Sequence, residues 1–289
     1  MESSSKVDYS NMPLRGDIVR ALLSIALAAA TLTPAMLTPM EAQWLNYPTA
    51  GVPRTRDGKP NLSAPAPRTA DGKPDFSGLW EADTVGATFA PVAGAAALAP
   101  EFVNIAAKLK GGLPYRSWAR DLLNTRLALN GKDNPDGFCQ PLSVLHMHTH
   151  PFPRKIVQVP GLIAILYEKN VDFRQIFTDG RPLPADSNPS FFGYSSGKWS
   201  GDTLVVETIG FRDGMWADAD GNPLTESAKI TERFRRPNFG NLEIEVTVDD
   251  PKAYTAPWTV KLIQHIKLNT ELMEYFCENE KDIPHMVGK

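Results

Sequence analysis

Polar and apolar residues alternate with a period of two along the second half of the chain. The clearest case is the stretch 242–248, where Leu, Ile, Val and Val alternate with Glu, Glu and Thr. This period places one set of side chains on each face of a strand, as in a half-buried antiparallel sheet. The pattern predicts strands at 76–82, 155–159, 161–168, 171–177, 193–199, 203–209, 228–235, 241–248, 258–268 and 272–277.

Short turns such as Pro160-Gly161 and Asn269-Thr270 separate most of these strands. Consecutive hairpins form an antiparallel meander, and a long meander must close or fold over to hide its edges. We therefore predict a mainly β fold, in which the meander closes into a lipocalin-like barrel or, alternatively, forms a sandwich.

Two segments before the main run of strands have the period of amphipathic helices. The first, near 100–110, begins at Pro100, and the second, near 114–130, begins at Pro114. Proline is tolerated in the first turn, and each segment ends at a glycine-containing pair. We predict two helices that pack N-terminal to the barrel.

An apolar run at 21–33 follows a sparsely charged N-terminal stretch, which is the order of a secretory signal peptide. Polar and proline residues interrupt the run before it reaches the about 20 residues of a spanning helix. We predict a signal peptide at 1–42, cut after Ala42 or alternatively after Ala35. The predicted location is periplasmic or secreted, without a permanent membrane span after cleavage. An uncleaved anchor is the other interpretation.

The segment 43–77 is rich in proline and glycine, and Asp-Gly-Lys-Pro occurs in it twice, at 57–60 and 71–74. Each Asp-Gly pair predicts a turn, and each Lys-Pro pair excludes helix at the lysine. We predict an extended arm on the surface of a single β-rich domain at 78–289.

Charge and cysteine content limit the possible partners and compartment. The chain has 30 basic and 33 acidic residues, a net charge of −3, so we predict no nucleic-acid partner. Cys139 and Cys277 are the two cysteines, and an exported chain meets an oxidising compartment. We predict a disulfide between them that ties the middle of the chain to its last strand, with two buried thiols as the alternative.

Several motifs resemble those of a large family of exported bacterial proteins without an established activity. They are the Asp-Gly-Lys-Pro arm, Lys-Ile-Val-Gln at 155–158 and Gly-Asp-Thr-Leu-Val-Val-Glu-Thr at 201–208. The resemblance covers nearly all of the chain after the signal peptide, and it implies export and a single folded unit, but no mechanism. The stretch after Cys139 departs from the family pattern, because a histidine run follows Gln140-Pro141 there.

That histidine run consists of His146, His148 and His150. On a strand, this spacing would place three imidazoles on one face, as a zinc or iron site requires. Two prolines follow at 151 and 153, which favours a solvated loop instead. Metal binding by these three residues is one hypothesis, and no other cofactor is predicted.

Alternation also assigns several polar residues to the interior of the sheet, between apolar neighbours. Buried carboxylates and amides need partners, and in a barrel those partners can belong to a ligand. The alternative is that Glu232 pairs with Arg174 or Arg233 as a structural element. The candidate ligand-binding residues are Glu232, Gln264, Gln175, Phe173, Phe177, Phe234 and Trp258.

The segment 193–197 matches G-x-S-x-G, which presents the nucleophile Ser195 in α/β-hydrolases. That turn joins a strand to a helix, whereas here a hairpin and another strand follow. The context therefore favours an ordinary strand with two glycines.

These observations lead to three hypotheses for the function. The first is an exported β-barrel protein that binds a small, mostly apolar molecule. The second is an enzyme on the same scaffold, a metal-assisted or acid–base hydrolase or isomerase, in which an apolar setting raises the pKa of Glu232. The third is an envelope module that binds another protein through the arm, although no particular protein partner is indicated.

Overall fold

The computed structural model describes residues 47–83, 105 and 109–277. Within this part of the chain the main strands are β1 (Gly78–Ala82), β2 (Arg154–Val159), β3 (Leu162–Tyr167), β4 (Phe173–Phe177), β5 (Tyr194–Ser200), β6 (Thr203–Ile209), β9 (Lys229–Arg235), β10 (Asn241–Asp249) and β11 (Trp258–Ile266). The short strands β7 (Met215–Trp216) and β8 (Pro223–Leu224) form a separate hairpin. The nine main strands close into a barrel in the order β1-β11-β10-β9-β6-β5-β4-β3-β2.

The prediction of a mainly β fold with a closed barrel is confirmed, and the sandwich alternative is wrong. The strand predicted at 272–277 is not formed; Tyr275 makes only an isolated bridge to Lys169. The lipocalin-like type of the barrel stays a prediction.

One strand pair departs from the predicted antiparallel meander. Strands β4 and β5 are parallel and pair at only two positions, Ile176 with Ser195 and Phe177 with Ser196. A closed sheet with an odd number of strands cannot alternate direction at every junction, so one parallel pair is required. The connection at 178–193 returns the chain to the starting end of the barrel.

Alternation explains why these segments are strands. Inward residues of β6, β9, β10 and β11 are buried, whereas most outward residues are polar or charged. On the outer face Glu243 contacts Arg235 at 3.3 Å and Lys261 at 3.1 Å across neighbouring strands. The apolar core includes Trp80, Ile163, Leu204, Val206, Ile230, Phe234, Leu242, Ile244, Val246, Val248, Val260 and Leu262.

Helix α1 spans Ser117–Ala128, inside the range predicted at 114–130. Most of the helix predicted near 100–110 lies outside the described residues. A second helix, α2, spans Val144–Thr149, where a strand or loop was expected, and all six of its residues are buried. That expectation was wrong because Ser143 supplies an N-cap, its Oγ accepting from the His146 backbone N–H at 3.2 Å.

The C-terminal end of α2 is held by side chains from the barrel wall. Arg154 of β2 donates to the carbonyl oxygens of His148 at 3.2 Å and His150 at 2.8 Å. Gln264 of β11 also donates to the His148 carbonyl, at 3.0 Å. These bonds satisfy carbonyls that a helix end leaves without partners, and they fix α2 against inward-facing residues.

The arm contains the same turn twice. The backbone N–H of Thr55 donates to Lys59 O at 2.9 Å, and that of Thr69 donates to Lys73 O at 2.9 Å. Only the second copy is tied to the barrel through its arginine, because Arg68 binds Asp202 with bonds of 3.0 and 2.7 Å. The arm then enters the core, where Phe76 is buried.

Cys139 and Cys277 form a disulfide with a Cα–Cα distance of 5.3 Å, as predicted. It joins the residue after a short 3-10 helix, Pro135–Phe138, to the segment that follows β11.

Candidate functional site

An ion pair crosses the interior of the barrel between β4 and β9. Arg174 Nη1 donates to Glu232 Oε1 at 2.9 Å, and Nη2 donates to Oε2. Both side chains are almost fully buried. Two strands, β5 and β6, separate β4 from β9 in the sheet, so the pair links distant parts of the wall.

His148 from α2 also makes a hydrogen bond to the Glu232 carboxylate. Its Nε2 lies 2.7 Å from Glu232 Oε1. A carboxylate with a low pKa can only accept, so this nitrogen carries the proton. The other ring nitrogen, Nδ1, has no hydrogen-bond partner among the described residues.

The pKa values of this cluster follow from burial and mutual charge. Burial alone would raise the pKa of Glu232, but the charge and hydrogen bonds of Arg174 lower it to about 2. Burial lowers the pKa of His148, so its ring is neutral at pH 7. The acid–base hypothesis required a raised pKa at Glu232, and that requirement is contradicted.

The remaining donors of Arg174 reach two hydroxyl groups. Nε and Nη2 donate to Ser195 Oγ at 3.2 and 3.0 Å, and Nη2 also donates to Thr208 Oγ1 at 3.0 Å. Ser195 and Thr208 share a further hydrogen bond of 3.0 Å. Ser195 therefore lies in a strand beside an arginine, and this arrangement does not activate a serine nucleophile, which needs a general base.

Strands β4 and β5 pair at only two positions, and we call this junction the seam. On the N-terminal side of these positions the two strands are not paired with each other, which leaves an opening. The chain enters β5 through Gly193, whose φ is +62°. A Cβ at this position would lie 2.6 Å from Ile209 O, so glycine is required by both conformation and space.

A cleft of about 440 Å³ lies over this opening, and we call it the seam cleft. Arg174 and Ser195 are among its lining residues, although each is only 1% exposed. Tyr194 stacks on Phe177 with a centroid distance of 5.3 Å, and Phe192 stacks on Tyr167 at 5.7 Å. The aromatic lining residues are Phe173, Phe177, Phe191, Phe192 and Tyr194.

No protein-family model matches the chain, and no match is found among curated proteins. The resemblance to exported bacterial proteins stays a prediction.

The candidate ligand-binding residues divide into two groups. Phe173, Gln175 and Phe177 line the seam cleft. The remaining candidates, Glu232, Gln264, Phe234 and Trp258, are buried in the barrel.

The assignment of Gln175 to the interior was wrong. Gln175 is exposed and Phe173 is 62% exposed, whereas Arg174 and Ile176 point inward. Charge pairing with Glu232 brings Arg174 inside, which apolar alternation does not anticipate. The aromatic cleft residues that sequence reasoning missed are Phe191, Phe192 and Tyr194; the Phe-Phe-Gly-Tyr string was the available signal. The alternative in which Glu232 pairs with Arg174 is confirmed.

The three histidines do not share one face, because they lie on α2 and at its C-cap instead of on a strand. His148 contacts Glu232, whereas the rings of His146 and His150 lie near each other, with centroids 6.3 Å apart. Within the described residues, no group of three or more His, Cys, Asp or Glu residues is arranged to hold a metal ion. The geometric basis of the metal hypothesis was therefore wrong.

His150 belongs to a second buried cluster. Asp136 Oδ2 lies 3.5 Å from His150 Nε2, and Asp136 Oδ1 lies 2.7 Å from Lys169 Nζ. Burial lowers the pKa of His146, which lies beside them, to about 3. The cluster lies beneath the disulfide, since Cys277 Sγ is 3.8 Å from Asp136 O.

Among the described residues, no helix combines the length and apolar character needed to cross a bilayer.

Proposed function

We propose that the protein is an exported β-barrel protein that binds a small, mostly apolar molecule in the seam cleft. The observation that carries the proposal is the set of aromatic side chains that line the cleft beside the β4–β5 junction. Small-molecule sites have volumes of roughly 300 to 1,000 Å³, apolar walls and a few orienting polar groups. The seam cleft agrees with each of these properties.

The exposure of Phe173 supports the same proposal. Its side chain is 62% exposed beside other aromatic residues, although burial of a phenylalanine contributes about 2 kcal/mol. Clustered exposed apolar residues are typical of binding sites. A ligand that covers Phe173 would recover this free energy.

The buried ion pair makes the lining of the cleft rigid at Arg174. Arg174 is held by Glu232, Ser195 and Thr208 before any ligand arrives. A preorganised site avoids the entropic cost of ordering side chains on binding. Glu232 thus holds Arg174 in place from the barrel interior, and His148 in turn holds Glu232.

Export is supported by the disulfide, because such bonds persist in oxidising compartments. We therefore propose that the ligand is bound in the periplasm or outside the cell.

Fluorescence titration with N-phenylnaphthylamine, a neutral apolar probe, tests the proposal. We expect saturable binding to the full chain, weakened about fivefold to tenfold in Phe173→Ala, since apolar contact is lost. The matched control is Phe276→Ala, which removes a phenylalanine that is 67% exposed and does not line the cleft. Absence of saturable binding, or equal effects of the two variants, would contradict the proposal.

A further inference from the structure

A second cavity of about 390 Å³ adjoins the seam cleft, and we call it the arginine pocket. Pro141 and Phe191 line both cavities. Arg126 and Arg212 line the arginine pocket together with Trp216. One ligand can therefore extend from an aromatic cleft into a pocket that contains two guanidinium groups.

Arg126, in the last turn of α1, is a buried cation whose ion-pair partner, Asp133, is half exposed. Its side chain is 7% exposed, and its guanidinium lies 4.6 Å from the centre of the Trp216 ring. Nη1 donates to Gly221 O at 2.8 Å, but Nε makes no hydrogen bond within the described residues. The nearest carboxylate is on Asp133, 3.4 Å from Nε and 55% exposed. A buried charge without a well-placed counterion is costly.

Arg212 follows β6 and is exposed. Its guanidinium lies 4.8 Å from the centre of the Phe191 ring, which is the wall shared with the seam cleft. Within the described part of the chain, no carboxylate forms an ion pair with it. Phe191 thus places an unpaired cation beside an aromatic surface.

The pocket also contains two acidic residues, Asp133 and Asp213. Asp133 is largely solvated, and Asp213 interacts with the neighbouring Glu226 and Lys252. Neither carboxylate forms an ion pair with Arg212, so Arg212 is the arginine of this pocket that is open to an anionic group.

We infer that the ligand of the seam cleft is an amphipathic organic anion, whose carboxylate or sulfonate group binds at Arg126 and Arg212 while its apolar body lies on the aromatic residues. This inference rests on the proposed function. Guanidinium groups bind such oxyanions through paired N–H donors, and an anion here would give Arg212 an ion-pair partner and would add to the half-exposed Asp133 as a counterion of Arg126.

A matched pair of probes tests the inference: anilinonaphthalene sulfonate, which is anionic, and N-phenylnaphthylamine, which has the same ring system without the charge. We expect Arg212→Gln to weaken binding of the sulfonate about tenfold and to change binding of the neutral probe by less than about twofold. Arg212→Glu should weaken the sulfonate further, because it adds repulsion. The control is Arg56→Gln, an exposed arginine in the arm, and it should change neither affinity.

The outcomes separate the inference from the proposal on which it rests. If both probes bind and Arg212→Gln and Arg212→Glu leave the sulfonate affinity unchanged, the anionic head group is refuted and the apolar site remains. If the neutral probe binds and the sulfonate does not, the anionic head group is likewise refuted and the apolar site remains. If neither probe binds, the seam cleft itself is refuted. Titrations at low and high salt should show a salt dependence only for the sulfonate.

Discussion

Arg174 and Glu232 form a buried ion pair that joins β4 to β9 through the centre of the barrel, with Nη1 2.9 Å from Oε1. The pair occupies the part of the interior that a ligand would fill in an open barrel. Its partners Ser195 and Thr208 extend it to β5 and β6, so four wall strands share one hydrogen-bond network. The proposed binding site is therefore the seam cleft in the barrel wall and not the barrel axis.

Removal of the Glu232 charge should strongly destabilise the fold. Glu232→Gln leaves Arg174 buried and unpaired, and we expect a loss of about 3 to 5 kcal/mol in the free energy of unfolding. Glu243→Gln is the control, since Glu243 pairs with Arg235 and Lys261 on the outer face, and it should cost less than about 1 kcal/mol. Urea unfolding measures both, and equal small losses would show that the Arg174 charge is solvated.

Most strands could be predicted from the sequence because inward and outward positions differ in polarity. The alternation at 241–248 corresponds to β10 almost residue for residue. The sequence prediction assigned the wrong face of β4 to the interior. Phe173 and Phe177 are apolar but point outward, whereas Arg174 is charged and points inward. Arg174 was one of two arginines predicted as a structural partner of Glu232, but apolar alternation did not show that this pairing turns Arg174 to the interior.

The site was harder to predict than the fold because it forms where regular pairing ends. The seam depends on the parallel junction of β4 and β5, and no hairpin turn marks that junction in the sequence. The prolines of the connection, Pro182, Pro184 and Pro189, indicate only that it is irregular. In contrast, Ser143 is a recognisable N-cap signal for α2. The alternating histidines suggested a strand instead, so this signal was not used.

The acidic pair Asp218 and Asp220 should make the fold less stable at alkaline pH. Burial, together with the Asp218 charge, raises the pKa of Asp220 to about 8 from its ordinary value of 3.8. The folded state thus holds a proton that the unfolded state has lost. The contribution of this proton to the free energy of unfolding is complete below about pH 4 and is lost as the pH rises through about 8. Asp220→Asn should raise the free energy of unfolding at pH 8 by on the order of 2 kcal/mol.

The measurement is denaturant unfolding across this pH range. The control Asp186→Asn changes an exposed aspartate and should leave the pH profile parallel to that of the wild-type protein. A profile of Asp220→Asn that is also parallel to the wild type would show that Asp220 is ionised in the folded state at neutral pH.

The two arm repeats provide an internal comparison for docking of the arm. Arg68 and Arg54 each donate to the carbonyl of the turn glycine at 2.7 Å, but only Arg68 also binds Asp202. In a double-mutant cycle we expect a small but measurable coupling between Arg68→Ala and Asp202→Ala, because the pair is exposed. The cycle with Arg54→Ala should show none. Faster amide exchange at 67–75 in Arg68→Ala would locate the effect, and equal coupling in both cycles would exclude specific docking.

The disulfide should stabilise the whole domain, because the two cysteines are 138 residues apart in sequence. In the chain-entropy model, a loop of this length corresponds to about 4 to 5 kcal/mol. The bond also holds Tyr275 over Lys169, with the ammonium 4.7 Å from the ring centre. The double variant Cys139→Ser/Cys277→Ser should therefore unfold at a lower urea concentration than the oxidised protein.

The reduced wild-type protein should match the variant, and the reductant should not affect the variant itself. A difference below about 1 kcal/mol between oxidised protein and variant would mean that the 272–277 segment is held in place by its other contacts.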